Sequence, residues 1–187
     1  EDMANANKEC GRVGFKAEML TQLCTNANPP VVGGETLTML VQCLTVPFNT
    51  GFKYIEDAID TLTKEVRAAI KAGEGVMPKD TPKVGFYNLP FCVPWVGKYF
   101  RDNGVITGFS SALTHSKLEM SPSRYKDDPW MSAAESWSRN GMCMNLKNEA
   151  DAMSEKVEIC HPDGMILGFF DFDRWLGAQQ KIMAKMV

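Results

Sequence analysis

Three short apolar runs, residues 83–89, 105–109 and 164–170, alternate with stretches of helical periodicity. This alternation constrains the chain more than any other feature. Parallel neighbours need crossovers, and strands joined through helices give a parallel sheet with helices on its faces. The crossovers are expected to be right-handed. Ligands of such sheets lie beyond the C-terminal strand ends. Chemistry is therefore expected in the residues that follow each run.

The chain ahead of the runs reads as helix. Residues 12–24 carry Phe15, Met19, Leu20 and Leu23 on one stripe, and Asn28-Pro29-Pro30 ends it. Residues 35–46 form a second apolar helix closed by Pro47. In residues 54–71, Ile55, Ile59, Leu62, Val66 and Ile70 recur at three- and four-residue steps, and Gly73 follows as a C-terminal cap. A Gly-, Pro- and Lys-rich linker then spans 73–82. The organisation is a helical segment, 1–80, followed by an α/β domain, 81–187. Within that domain helices are expected at 91–103, 131–138, 149–159 and from Trp175 onward, with a polar loop at 110–129.

Composition removes several classes of function. With 44% hydrophobic and 23% charged residues, the 187-residue chain can bury a core and is not intrinsically disordered. Twenty Lys+Arg against 23 Asp+Glu give a net charge of −3, no footprint for duplex nucleic acid or anionic lipid. No apolar run approaches the roughly 18–20 residues that span a bilayer. Neither a Gly-x-Gly-x-x-Gly nor a Walker loop follows a strand, so dinucleotide and NTP sites lack support. Six cysteines, at 10, 24, 43, 92, 143 and 160, show neither a Cys-x-x-Cys pair nor zinc-site spacing. They read as mostly buried thiols of a protein in the reducing cytoplasm.

A few residues stand at the useful edge. Cys92 follows the first strand near a helix N-terminus, where a thiolate is favoured as ligand or nucleophile. It would equally serve packing beside Pro90 and Trp95. Cys143, in a glycine-containing loop, could share a ligand set with Cys92. Asp171, Asp173 and Arg174 follow the third strand, placed either to meet a ligand or to form a local ion pair and helix cap. His115, in the polar loop, reads as a surface histidine. Cys160-His161-Pro162-Asp163 looks like a metal pair, but it precedes a strand and reads as a helix end and turn.

The order of segments resembles the 2-hydroxyacyl-CoA dehydratase/benzoyl-CoA reductase family, the iron–sulfur D-component proteins. The likeness runs from Asn5 to the end of the chain. It rests on Asn28-Pro29-Pro30 with Gly33-Gly34-Glu35, Lys71-Ala72-Gly73-Glu74-Gly75, Gly85 through Pro90, and Arg101-Asp102-Asn103-Gly104-Val105. Asp128-Pro129-Trp130 with Ala133-Ala134, Met142-Cys143 and Pro162-Asp163-Gly164-Met165-Ile166 complete it.

The resemblance implies a helical N-terminal segment followed by part of a parallel, Rossmann/flavodoxin-like three-layer domain. Family members look about twice as long, so the chain is expected to be a piece of such a protein. In the family, three loop cysteines hold a [4Fe-4S] cluster, and Cys143 matches one of them. Where the third often stands, this chain reads Asp173-Arg174-Trp175-Leu176-Gly177. The expected chemistry is radical dehydration of a 2-hydroxyacyl-CoA, a lyase reaction, or reduction of an aromatic acyl-CoA, an oxidoreductase reaction. A homologous subunit and an ATP-dependent iron–sulfur activator are the expected partners. Cys143 and Cys92 are the candidate cluster ligands, and Asp171, Arg174 and Trp175 the candidate acyl-CoA contacts. Trp95 and Trp175 would help exclude solvent. Two alternatives remain: a cluster-less structural partner subunit of such a complex, and an unrelated α/β domain that binds a small molecule.

Overall fold

The computed structural model describes residues 2–44, 51–87, 94–110, 115–139, 146–167 and 181–186. The chain is mixed α/β and mostly helical, with one small parallel sheet. Helices α1 (Asp2–Thr25), α2 (Gly34–Leu44) and α3 (Lys53–Ala72) come first. Strand β1 (Lys83–Tyr87), helix α4 (Pro94–Asp102) and strand β2 (Ile106–Ser110) follow. Helices α5 (Lys117–Met120), α6 (Pro129–Ser138) and α7 (Leu146–Cys160) lead to strand β3 (Gly164–Leu167). Residues 181–186 form a further helix, α8.

The helical segment is built on close packing of α1 against α3. Val13, Ala17, Leu20 and Cys24 of α1 join Leu37 of α2 and Ile59 and Val66 of α3 in one buried cluster. The stripe expected on α1 is thus rotated: Leu20 is buried, but Phe15 is 56% and Met19 45% exposed. Small residues such as Ala17 let two helices approach, whereas the bulkier pair stays outside, on the rim of an open groove between α1 and α3. Helix α3 follows its expected stripe through four of five positions, with Ile59 and Val66 buried and Ile55 and Leu62 packed beside them. Ile70, in the last turn, is instead 37% exposed, and Ala69 packs in its place. It stops at Gly73, whose φ of 70° is left-handed. The Gly73 and Glu74 N–H groups donate to the Ile70 and Ala69 carbonyls at 3.1 and 3.0 Å. Outside this core, Lys16 bridges Glu56 and Asp60 of α3.

Strand order in the sheet is β2-β1-β3, all parallel, with β1 central. Lys83 pairs with Ile106 and Val84 with Thr107, and an irregularity around Gly108 then brings Gly85 opposite Phe109. On the other side the register runs from Val84↔Gly164 to Tyr87↔Leu167. Neighbouring strand residues point to opposite faces. Phe86 meets Phe100 of α4 edge-on, with ring centres 5.7 Å apart. Tyr87 joins Ala150, Met153 and Cys160 of α7 and Met183 of α8 in a second buried cluster.

The N-terminal helices are anchored to this sheet. Glu35, in the first turn of α2, is buried. Its Oε1 pairs with Arg101 of α4, and its Oε2 accepts from the Thr107 hydroxyl of β2 at 2.7 Å. The carboxyl lies directly over Gly33 and Gly97, and a Cβ at either position would fall far inside van der Waals contact with it. Gly34 is as tightly placed, since its Cβ would sit 2.9 Å from the Thr107 carbonyl oxygen. Residues 73–82 fold back on the first turn region: Val76 N–H donates to the Pro30 carbonyl at 2.8 Å, and Asn28 and Asp80 exchange hydrogen bonds.

Candidate functional site

Each strand of a parallel sheet delivers the chain to the same edge. With order β2-β1-β3 the connections depart to opposite sides of β1, so the C-terminal ends of β1 and β3 flank a topological switch point. The residues that directly follow these ends include most of the expected site. Cys92, Cys143, Asp171, Asp173, Arg174 and Trp175 all lie outside the described residues. Trp95 is described and is exposed in the first turn of α4.

From Tyr87, at this edge, a row of buried ionisable side chains runs along α7. Tyr87, the last residue of β1, donates its hydroxyl to Glu149 Oε1 of α7. Burial pushes the Glu149 carboxyl above the usual carboxylate range, against the Tyr87 hydrogen bond and the charge of Lys156, which both pull it down. One heptad further along α7, Lys156 is paired with Glu119 of α5 at 3.0 Å, the two side chains only 4% and 6% exposed. Burial alone would raise the Glu119 carboxyl. The Lys156 charge, the Ser116 N–H and the Lys156 hydrogen bond outweigh it, and the group sits below its ordinary range.

Helix α5 itself exists because of a local sequence signal. Ser116 Oγ accepts from Glu119 N–H, and Glu119 Oε2 accepts from Ser116 N–H at 2.6 Å, a capping box. Immediately before it stands His115. Its backbone N–H and its ring Nδ1 both lie 3.0 Å from Oε2 of Glu18, a buried residue of α1. The other Glu18 oxygen accepts from Gln22 Nε2 at 2.8 Å. His115 is therefore a partly exposed histidine tethered to a buried carboxylate.

The loop that continues from α5 is clamped by α6. Glu135 accepts from the Ser123 hydroxyl at 2.7 Å and from Arg124 N–H and Nε–H at 2.9 and 2.6 Å, and pairs with Arg139 at 2.8 Å. Arg139 in turn donates to the Ser121 carbonyl at 2.6 Å. The Ser123 bond, opposed by burial and reinforced by Arg124 and Arg139, lowers the Glu135 carboxyl to about 2. A carboxyl depressed in the folded state contributes stability above its ordinary value of 4.5 and loses it as pH falls toward about 2. Wild-type protein should accordingly lose more stability than Glu135→Gln between pH 5 and about 2. Urea midpoints across that range test this; parallel losses would contradict it.

The remaining sequence expectations at the opposite edge are clear. Helix α7 ends at Cys160, and His161 takes a positive φ of 47°. Asp163 exchanges hydrogen bonds with the Lys83 backbone, at 2.7 and 2.8 Å, and so pins the start of β3 beside the start of β1. The segment is the helix end and turn that Pro162 suggests. Among the described residues, no group of three or more His, Cys, Asp or Glu converges on a point that could hold a metal ion. Of the described thiols, Cys24 is pushed up to about 12 by burial, Cys160 lies in the second core and Cys10 is exposed on α1. Among the described residues no helix is long and apolar enough to cross a membrane. Neither the family models nor the curated proteins compared with the chain give a match.

Proposed function

We propose that this chain is part of a subunit of an iron–sulfur acyl-CoA enzyme of the 2-hydroxyacyl-CoA dehydratase/benzoyl-CoA reductase kind. The observation that supports it is the parallel order β2-β1-β3, the order with which a flavodoxin-like sheet opens, and such sheets bind ligands beyond the C-terminal ends of β1 and β3. On this reading the three strands belong to a larger three-layer domain. Cys143 and Cys92, on segments 140–145 and 88–93, supply thiolates to a [4Fe-4S] cluster. Cys24 suits that role poorly, since a thiol pushed up to about 12 by burial is not a thiolate. When bound, such a cluster supplies a very low-potential electron to the thioester. Asp171, Arg174 and Trp175 contact the acyl-CoA. A homologous subunit completes the site, and an ATP-driven iron–sulfur activator delivers the electron in the cytoplasm.

A second reading is favoured by one sequence observation, Asp173-Arg174-Trp175 at the position of the third family cysteine. There the chain is a cluster-less subunit that positions a catalytic homologue. Anaerobic purification with iron and sulfide analysis and EPR separates the two. The first reading expects about four irons per chain and their loss in Cys143→Ala. Iron found only in a co-purifying homologue would move the assignment to the second.

A further inference from the structure

The open groove between α1 and α3 has two unlike walls. The α1 wall is apolar: Phe15, Met19 and Leu23 follow one another at four-residue steps, above Leu20 at the base. Phe15 and Met19 are both exposed. The α3 wall is cationic. Lys64 and Arg67 line it, and Lys71 continues their line at the next four-residue step. All three are exposed. Asp60, four residues before Lys64, would be its natural partner along the helix, but Lys16 holds that carboxylate at 2.8 Å. Among the described residues the ion pairs of α3 gather in its N-terminal half, at Lys53, Glu56, Asp57 and Asp60. Lys64, Arg67 and Lys71 take part in none of them.

We propose that this groove docks an amphipathic helix of a partner protein, with an acidic flank on the side that meets α3. The length suits a helix: from Phe15 to Asn26 the α1 wall rises roughly 16 Å, about three turns. Apolar side chains of the incoming helix at i, i+3, i+4 and i+7 lie against Phe15, Met19 and Leu23, the helix-in-groove mode. Carboxylates on its adjoining face meet Lys64, Arg67 and Lys71. The chain carries a net charge of −3, so this positive line is a local reversal of sign. Within a Debye length of roughly 8 Å an approaching segment feels the line more than the net charge. A neutral or basic flank would leave the cations unpaired, so they select a partner as well as attract one.

Two other occupants fit less well. Small-molecule sites enclose most of their ligand, whereas this space of about 660 Å³ is an open groove. A second copy docking through the same face would bring the same three cations and no acidic line to meet them. The site lies wholly within the helical segment, 1–80, and uses no residue of the acyl-thioester reading, so the two stand or fall separately.

A displayed library of amphipathic helices of about 18 residues, panned against the full chain, tests the assignment. The apolar positions are fixed and one flank varies among Glu, Gln and Lys. Glu is expected to be enriched on that flank; enrichment of Lys or Gln, or of no sequence, overturns the proposal. By titration calorimetry the selected peptide should bind Phe15→Ser/Met19→Ser and Lys64→Glu/Arg67→Glu each at least about 10-fold more weakly than wild type. Melting temperatures should stay within a few degrees, because all four side chains are exposed. The Lys-flanked counterpart should instead prefer Lys64→Glu/Arg67→Glu to wild type by a similar factor. Equal binding of the selected peptide to wild type and to either folded double variant overturns the docking site. So does a dimer that Phe15→Ser/Met19→Ser dissociates in sedimentation, which places a second copy in the groove. Tighter binding of dodecanoate than of any selected peptide places a small anion there and overturns it too. None of these readouts depends on iron or thioester turnover.

Discussion

Replacing Lys156 with methionine is expected to destabilise the protein by about 3–5 kcal/mol, because it strands a buried carboxylate. Glu119 and Lys156 are both almost wholly buried and lie 3.0 Å apart. Taking the lysine away removes the ion-pair partner of Glu119 in a low-dielectric site. Glu119 retains its bond to the Ser116 N–H but holds its charge at a higher cost or takes up a proton. A neutral partner removes that conflict. The double variant Lys156→Met/Glu119→Gln should therefore recover about half of the loss or more, since glutamine can still accept from Ser116. Urea unfolding of the four proteins of this cycle gives the coupling directly. Additive losses would show that the pair does not act as a unit.

Gly97→Ala is the second large effect, with an expected loss of about 2–4 kcal/mol from the buried bonds it breaks. Alanine in the interior of α4 would ordinarily help, being roughly 1 kcal/mol better than glycine as a helix former. Here its methyl would occupy the space of the Glu35 carboxyl. Glu35 would have to withdraw from Thr107 and Arg101, leaving the Thr107 hydroxyl unsatisfied beneath α2. The sign should reverse once that carboxyl is gone. In a Glu35→Ala background, Gly97→Ala is expected to stabilise by up to about 1 kcal/mol. Thermal unfolding of both pairs checks it, and a loss that persists without Glu35 would place the clash elsewhere.

Element types were legible in the sequence because periodicity reports them: three apolar runs became three strands, and the stripe of residues 54–71 became α3. Faces were less legible. Phe15 and Met19 dominate any apolar count on α1, yet the contact with α3 selects Val13, Ala17 and Cys24. The capping box Ser116-Lys117-Leu118-Glu119 announces α5 in what otherwise reads as a polar loop. Charge in the core was also visible, in part. Leu146, Glu149, Met153, Lys156 and Cys160 fall at alternating three- and four-residue steps, so two charged residues interrupt an apolar stripe. Their partners could not be read, because Tyr87 lies 62 positions from Glu149 and Glu119 lies 37 from Lys156. Glu18 and His115 are 97 apart. Spacing along one helix is local information, whereas a pair across the fold is set by topology.

The central place of β1 also has a consequence for synthesis. During translation β1 emerges first and soon meets β2, but its other neighbour arrives only after Asp163, 80 positions beyond Lys83. Until then one flank of residues 84–87 carries backbone donors and acceptors with no strand to meet them, in a segment that includes Phe86 and Tyr87. An open strand flank is a template for pairing with any extended chain at hand. The late, long-range closure by β3 thus makes the nascent protein most vulnerable to intermolecular association while the segment from α5 to α7 is being made.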